Sequence, residues 1–180
     1  MIFKFYQIFR SIKEVVGIEK AKQVFPEYEK LPDKMLPEEQ AELARIIMTR
    51  LDRTFDKDTI PRIRMKHPCG IPKKDNESIL LIKNSYKSAE ERIGAYSTYL
   101  QGKYNCISNN EYIFTWGNRF CECGMFRKLS SYVPISPTWC QCCNANNKMQ
   151  FEFLLDRNIT SELLEGICCG GKNCSFKIKF

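Results

Sequence analysis

At 180 residues the chain is long enough for one substantial hydrophobic core, or for a core with a small helical appendage, and too short for a second large domain. It has no run near the roughly 18 apolar residues that a membrane-spanning helix needs, and its start, MIFKFYQIFRSIKEVV, lacks the apolar core and cleavage pattern of a secretory signal, so a cytoplasmic protein without a membrane span is expected. The formal charge of +7 lies entirely after Ile60, where 17 basic side chains face 10 acidic ones, whereas residues 1–60 carry 11 of each; the excess is dispersed and forms no Arg/Lys run, which argues against nucleic acid as the partner.

Phe3, Phe5, Ile8, Phe9, Ile12 and Val15-Val16 recur at helical spacing and predict a first amphipathic helix over 2–16. A second short helix is expected from Ile18 to the interruption at Pro26. Leu36-Pro37-Glu38-Glu39 opens the clearest helix, with Pro37 in the first turn, the glutamates at the positive end, and Leu43, Ile46, Ile47 and Leu51 as its apolar face. Residues 54–60 read as a turn or short helix, and PRIRMKHPCGIPKK as a Pro/Gly-rich segment that sets His67, the only histidine, beside Cys69. That pair reads either as two metal ligands on a loop or as an ordinary structural turn. Asp75 to Tyr86 carries no clear period. Ser88 is placed to cap a helix running to Leu100, with Glu91 at the reciprocal position and Gly102 as its stop.

From there the periodicity changes. Glu111 to Gly117 reads as a strand, Arg119 to Phe126 as its hairpin partner, and Ser136 onward as the lead into a helix reaching Leu155, despite a middle made polar by asparagines and a lysine. Ile159–Cys168 reads as a strand and Cys169–Asn173 as a turn. The alternating end is a final strand with Cys174, Phe176, Ile178 and Phe180 facing inward. Helices first and hairpins later predict an α+β fold, N-terminal helices packed with an antiparallel sheet. The expected organisation is a single domain, 1–180, with a helical subregion over 1–60 and a cysteine-rich core over 88–180.

Ten cysteines, of which only Cys69 lies in the first hundred residues, are the main chemical signal. Adjacent and alternate cysteines without an export signal favour metal ligation or thiol chemistry over a disulfide framework. Cys121-Glu-Cys123 on a strand and Cys140-Gln-Cys142 at a helix start supply four soft ligands. The expected metal set is therefore Cys121, Cys123, Cys140 and Cys142, with Cys143 or Cys69 as substitutes. Zinc is the first expectation, an iron–sulfur cluster the alternative, and no metal the third case. Cys106, Cys168 and Cys174 read as buried core thiols, and Cys169 as exposed beside the Gly-Gly turn. A nucleophilic Cys140 or Cys142 lacks an evident base, and Glu122 and Glu165 read as sheet-surface residues unless they enter a cleft.

The ending LLEGICCGGKNCSFKIKF, together with Cys121-Glu-Cys123, Cys140-Gln-Cys142, Gly170-Gly171 and Cys174-Ser-Phe176, resembles the end of 4-vinyl-reductase-type ligand-binding domains. It resembles in particular a bacterial cysteine-rich family related to L-2-amino-thiazoline-4-carboxylic acid hydrolase-like proteins. The resemblance covers mainly residues 88–180. It implies a small, often hydrophobic ligand between a curved sheet and helices, with metal bound through cysteines in some members. Tyr112, Phe114, Trp116, Phe126, Trp139, Phe151 and Phe153 are the wall residues such a cavity would use, although core packing also accounts for each. The expected function is small-molecule or metal binding at a cysteine-rich site; a thiol- or metal-dependent hydrolase and a protein-interaction module with structural cysteines are the alternatives.

Overall fold

The computed structural model describes residues 3–116, 121, 123–127, 129, 131 and 133–180. Helix α1 (Phe3–Val16) buries Phe5, Ile8, Phe9 and Ile12 on one stripe, as its spacing requires. Helix α2 (Ile18–Val24) stops at Phe25, just before Pro26 opens a 3-10 turn (Pro26–Lys30). Helix α3 (Pro37–Thr54) has proline in its first turn, and the Glu39 carboxylate accepts the Leu36 N–H at 2.8 Å. Its buried stripe is Leu43, Ala44, Ile47, Met48 and Leu51. Ile46, expected on that stripe, is only half-buried, and Met48 takes the place in the core. Helix α4 (Thr59–Arg64) follows, then α5 (Lys73–Ser85), where the sequence has no clear period and only Ile79 is fully covered.

Helix α6 (Ala89–Tyr99) begins on Ser88 with the expected reciprocal cap: the Glu91 N–H donates to Ser88 Oγ at 3.2 Å, and the Ser88 N–H to the Glu91 carboxylate at 3.0 Å. The left-handed residue that ends it is Gln101 (φ 53°), not Gly102. Gly102 is needed for space, because a Cβ there would lie 2.9 Å from the Thr115 carbonyl oxygen and 3.1 Å from the Phe114 ring.

Strands β1 (Lys103–Ser108), β2 (Glu111–Trp116), β3 (Thr160–Glu165) and β4 (Cys174–Lys179) form an antiparallel sheet in the order β1-β2-β4-β3, with α7 (Gln141–Leu155) between β2 and β3 in the chain. This is the α+β arrangement of N-terminal helices and antiparallel sheet. Two expectations are corrected. The hairpin partner of β2 is the preceding strand β1, and its other neighbour is β4. Within 119–126, residues 123–126 form a turn in which the Phe126 N–H bonds the Cys123 carbonyl at 2.8 Å; Arg119, Phe120 and Glu122 lie outside the described residues. The strand expected over Ile159–Cys168 ends at Glu165 and passes into a 3-10 turn (Ile167–Cys169), closed by left-handed Gly170 (φ 93°).

The buried polar middle of α7 has a clear use. Asn144 donates to the Ser161 carbonyl (3.1 Å) and accepts from Ser161 Oγ (2.7 Å), and Gln150 accepts from the Tyr96 hydroxyl (2.6 Å). The residues that lower intrinsic helix propensity are those that dock the helix on β3 and α6. Among the described residues two hydrophobic cores result. One gathers α1–α4 with Met125, Phe126, Ile135, Trp139 and Ile167; the other gathers α5, α6, α7 and the sheet around Phe114, Phe151 and Ile178. No helix among the described residues is long and apolar enough to cross a membrane.

Candidate metal centre

All ten cysteines are free thiols, and nine of them either belong to the first core or line the pockets beside it. Cys106 is the exception. It is exposed on β1, donating to the Ser108 carbonyl at 3.2 Å, because all six β1 side chains face solvent; the expected core role does not hold for it.

The tightest group is Cys140, Cys168 and Cys169, whose sulfurs all lie within 4.8 Å of one another. Cys140 Sγ is 3.2 Å from Cys168 Sγ and 3.4 Å from Cys169 Sγ. Local structure explains the meeting. A turn over residues 137–140 leads into α7, where Cys140 is the N-cap residue, and Arg64 clamps that turn: its guanidinium donates to the Thr138 and Trp139 carbonyls, both at 3.2 Å, and lies over the Trp139 ring. Opposite, the 3-10 turn presents Cys168 and Cys169, and the Cys168 carbonyl accepts the Ile135 N–H at 2.9 Å. Gly166 admits Cys140 between them, since a Cβ there would lie 2.8 Å from Cys140 Sγ and 3.4 Å from Cys169 Sγ.

The remaining thiols extend from this group. Cys121 is buried in the same core and lines one cavity wall with Cys123 and Cys140. Cys123 also meets Cys143, and Lys4 of α1 donates to it at 3.7 Å. Cys142 pairs with Cys69 at 3.7 Å. Of the four expected ligands, Cys140 belongs to the compact triad and Cys121 shares a cavity wall with it, whereas Cys123 and Cys142 meet Lys4 and Cys69. Neither Cys168, read as a core thiol, nor Cys169, read as exposed, was expected among the ligands. Cys168 is fully buried and Cys169 half-buried. Adjacent cysteines directly after Gly166 were the available signal; nothing in the sequence singled out Lys4.

Electrostatics sort the thiols into acceptors and donors. Hydrogen bonds from Cys140 and Cys168 hold Cys169 down to about 4. The bond with Cys142, aided by the Lys4 charge, holds Cys69 down to about 6, and bonds from Cys121 and Cys143 hold Cys123 well below the ordinary thiol range. The donors move the other way: Cys121 is pushed up to about 12 by its bond to Cys123, Cys142 rises through its bond to Cys69, and Cys168 through its bonds to Cys121 and Cys140. Burial works against the charge of Lys4, but the negative charge of the neighbouring Cys123 and Cys69 outweighs it and raises its pKa. Metal ions bind the thiolate, so a site that already holds thiolates gives up fewer protons on loading.

An open cavity of about 250 Å³ lies against these thiols, walled on its apolar side by Trp116, Leu163 and Phe176. Among the seven expected wall residues, Trp116 alone lines it. Phe114 and Phe151 pack edge to face inside the second core, and Phe126 does so with Trp139 inside the first. His67 is hydrogen-bonded to the Glu14 carboxylate (2.9 Å), and Glu165 accepts the Lys172 N–H (2.7 Å) at the β3–β4 turn.

The chain belongs to the family of unknown function DUF6144, whose model matches residues 3–180 and so spans Lys4 and every cysteine. No curated protein and no solved structure matches it.

Proposed function

We propose that this member of DUF6144 binds a soft metal ion, zinc, through Cys121, Cys140, Cys168 and Cys169. The observation that carries the reading is the Cys140–Cys168–Cys169 triad, with sulfur separations of 3.2 and 3.4 Å and all three within 4.8 Å. Four sulfurs about 2.3 Å from a tetrahedral ion stand roughly 3.8 Å apart, so small side-chain shifts suffice for the three sulfurs of the triad. Cys121, buried in the same core and on the same cavity wall as Cys140, is the nearest candidate for the fourth ligand. Two of the four residues expected from the sequence thus stay in the set, and Cys168 and Cys169 replace Cys123 and Cys142. A closed four-sulfur site is the usual structural form of zinc, and it leaves no open position for a hydrolytic water. Ten free thiols fit a reducing compartment, which supports a cytoplasmic location.

A small hydrophobic molecule in the 250 Å³ cavity is the second reading, favoured by the Trp116, Leu163 and Phe176 wall and in keeping with the resemblance to 4-vinyl-reductase-type and L-2-amino-thiazoline-4-carboxylic acid hydrolase-like proteins. Anaerobic purification followed by elemental analysis and native mass spectrometry separates the two. Zinc near one equivalent per chain, reduced at least tenfold by Cys168→Ser with Cys169→Ser, is the expected result. Protein that stays metal-free when zinc is supplied under reducing conditions would reject the metal reading, and a retained organic mass would favour the second.

A further inference from the structure

We infer that the cavity beside the triad is a second metal centre, built for a polynuclear metal–sulfide cluster rather than a single ion. The inference deepens the metal-binding reading and uses thiols that the zinc set leaves over. Of the cysteines on the cavity wall, Cys121 and Cys140 are tied to the triad, while Cys69, Cys123, Cys143 and Cys174 are not needed there.

Three observations give the occupant its chemistry. The first is size. A mononuclear site draws its sulfurs almost into contact, as in the triad, and leaves no room between them. Here the spare thiols border about 250 Å³, where a single water needs only about 15 Å³ of such space. The second is charge. Lys4 is half-buried, donates to Cys123 at 3.7 Å and lies on the same wall as Cys69. An ammonium that gives up part of its hydration to face thiols is best matched by a fixed negative group, and four thiolates around an iron–sulfide core supply one that also accepts N–H···S bonds. The third is access. A groove of about 550 Å³ on the outer side shares Cys69, Trp116 and Asn146 with the cavity, which gives an entry path to the half-buried Cys69. Cys142, 3.7 Å from Cys69, is the adjacent reserve ligand.

The test loads full-length protein anaerobically with ferrous and ferric iron in equal amounts, sulfide and zinc, then measures iron, acid-labile sulfide, zinc and visible absorption. Wild type should hold iron and sulfide in equal amounts besides about one zinc. Cys69→Ser with Cys143→Ser should lose most of the iron, sulfide and visible band while keeping zinc. Cys168→Ser with Cys169→Ser should do the reverse. Zinc alone in wild type, with no sulfide, rejects the second centre and leaves the zinc reading intact. Iron and sulfide lost from the triad variant but kept by the cavity variant also rejects it. Iron and sulfide without zinc, still sensitive to Cys69 and Cys143, would support the cavity and reject the zinc reading. A measurement on wild type alone guards against misfolded variants: loading with iron and sulfide should slow alkylation of Cys69 at least tenfold, and equal rates in loaded and unloaded protein would overturn the inference.

Discussion

Gly166 decides how closely the sulfurs approach. Gly166→Ala would place a methyl 2.8 Å from Cys140 Sγ, and the expected outcome is a loss of about 1–3 kcal/mol in denaturant unfolding together with weaker zinc retention in a chelator competition. Unchanged retention would mean that the triad does not hold the ion. Away from the thiols, Arg50 makes two hydrogen bonds to Glu27, at 2.8 and 2.9 Å, which lower the Glu27 pKa. Both side chains are more than a third exposed, so solvent screening keeps the pair below about 1 kcal/mol. A depressed carboxylate contributes stability above its ordinary range and loses it as pH falls through the lowered value. Glu27→Gln should therefore be slightly less stable than wild type at neutral pH, and the two denaturation midpoints should converge below about pH 4.5. Cysteine identity was legible at this scale, but pairing was not: Cys168 reads as an ordinary core thiol until Cys140 is brought 3.2 Å from it.

At the scale of elements, the turn into α7 depends on a residue from a distant helix. Arg64 is almost fully buried and serves the Thr138 and Trp139 carbonyls, so Arg64→Met leaves two buried acceptors without their donor. A stability loss of about 2 kcal/mol and a reduced zinc occupancy are expected, read by urea unfolding and elemental analysis. Normal occupancy with lowered stability would confine Arg64 to the fold. Helices with a strong apolar stripe or a capping box were legible, as α1, α3 and α6 show, because local spacing and capping alone specify them. Strand β1 was not. It is an edge strand with every side chain exposed, held to β2 by main-chain bonds, so its sequence has no buried face to display. The opposite error arose at Cys121-Glu-Cys123, where alternation suggested a strand but the described backbone from Cys123 onward is a turn, and both thiols line the cavity beside the triad.

Across the whole molecule, the thiols come from segments around 69, 121–123, 140–143 and 168–174, so a bound ion cross-links parts of the chain that are far apart in sequence. Chelation under reducing conditions should lower the thermal midpoint of wild type by several degrees, since a ligand held only by the folded state stabilises it. Cys106→Ser, remote from the site, should respond to chelation as wild type does; an unchanged midpoint on full metal removal would deny the centre a structural role. The sequence by itself determined the α+β class, the amphipathic helices, the terminal strand and the concentration of soft ligands in the second half, because periodicity, capping and residue chemistry are local properties. Only the tertiary structure decided which sulfurs meet, that Lys4 of the first helix lies among them, and that a cavity opens beside the triad. Those contacts depend on how α1, the turn before α7 and the β3–β4 turn pack together, and no single segment encodes that packing.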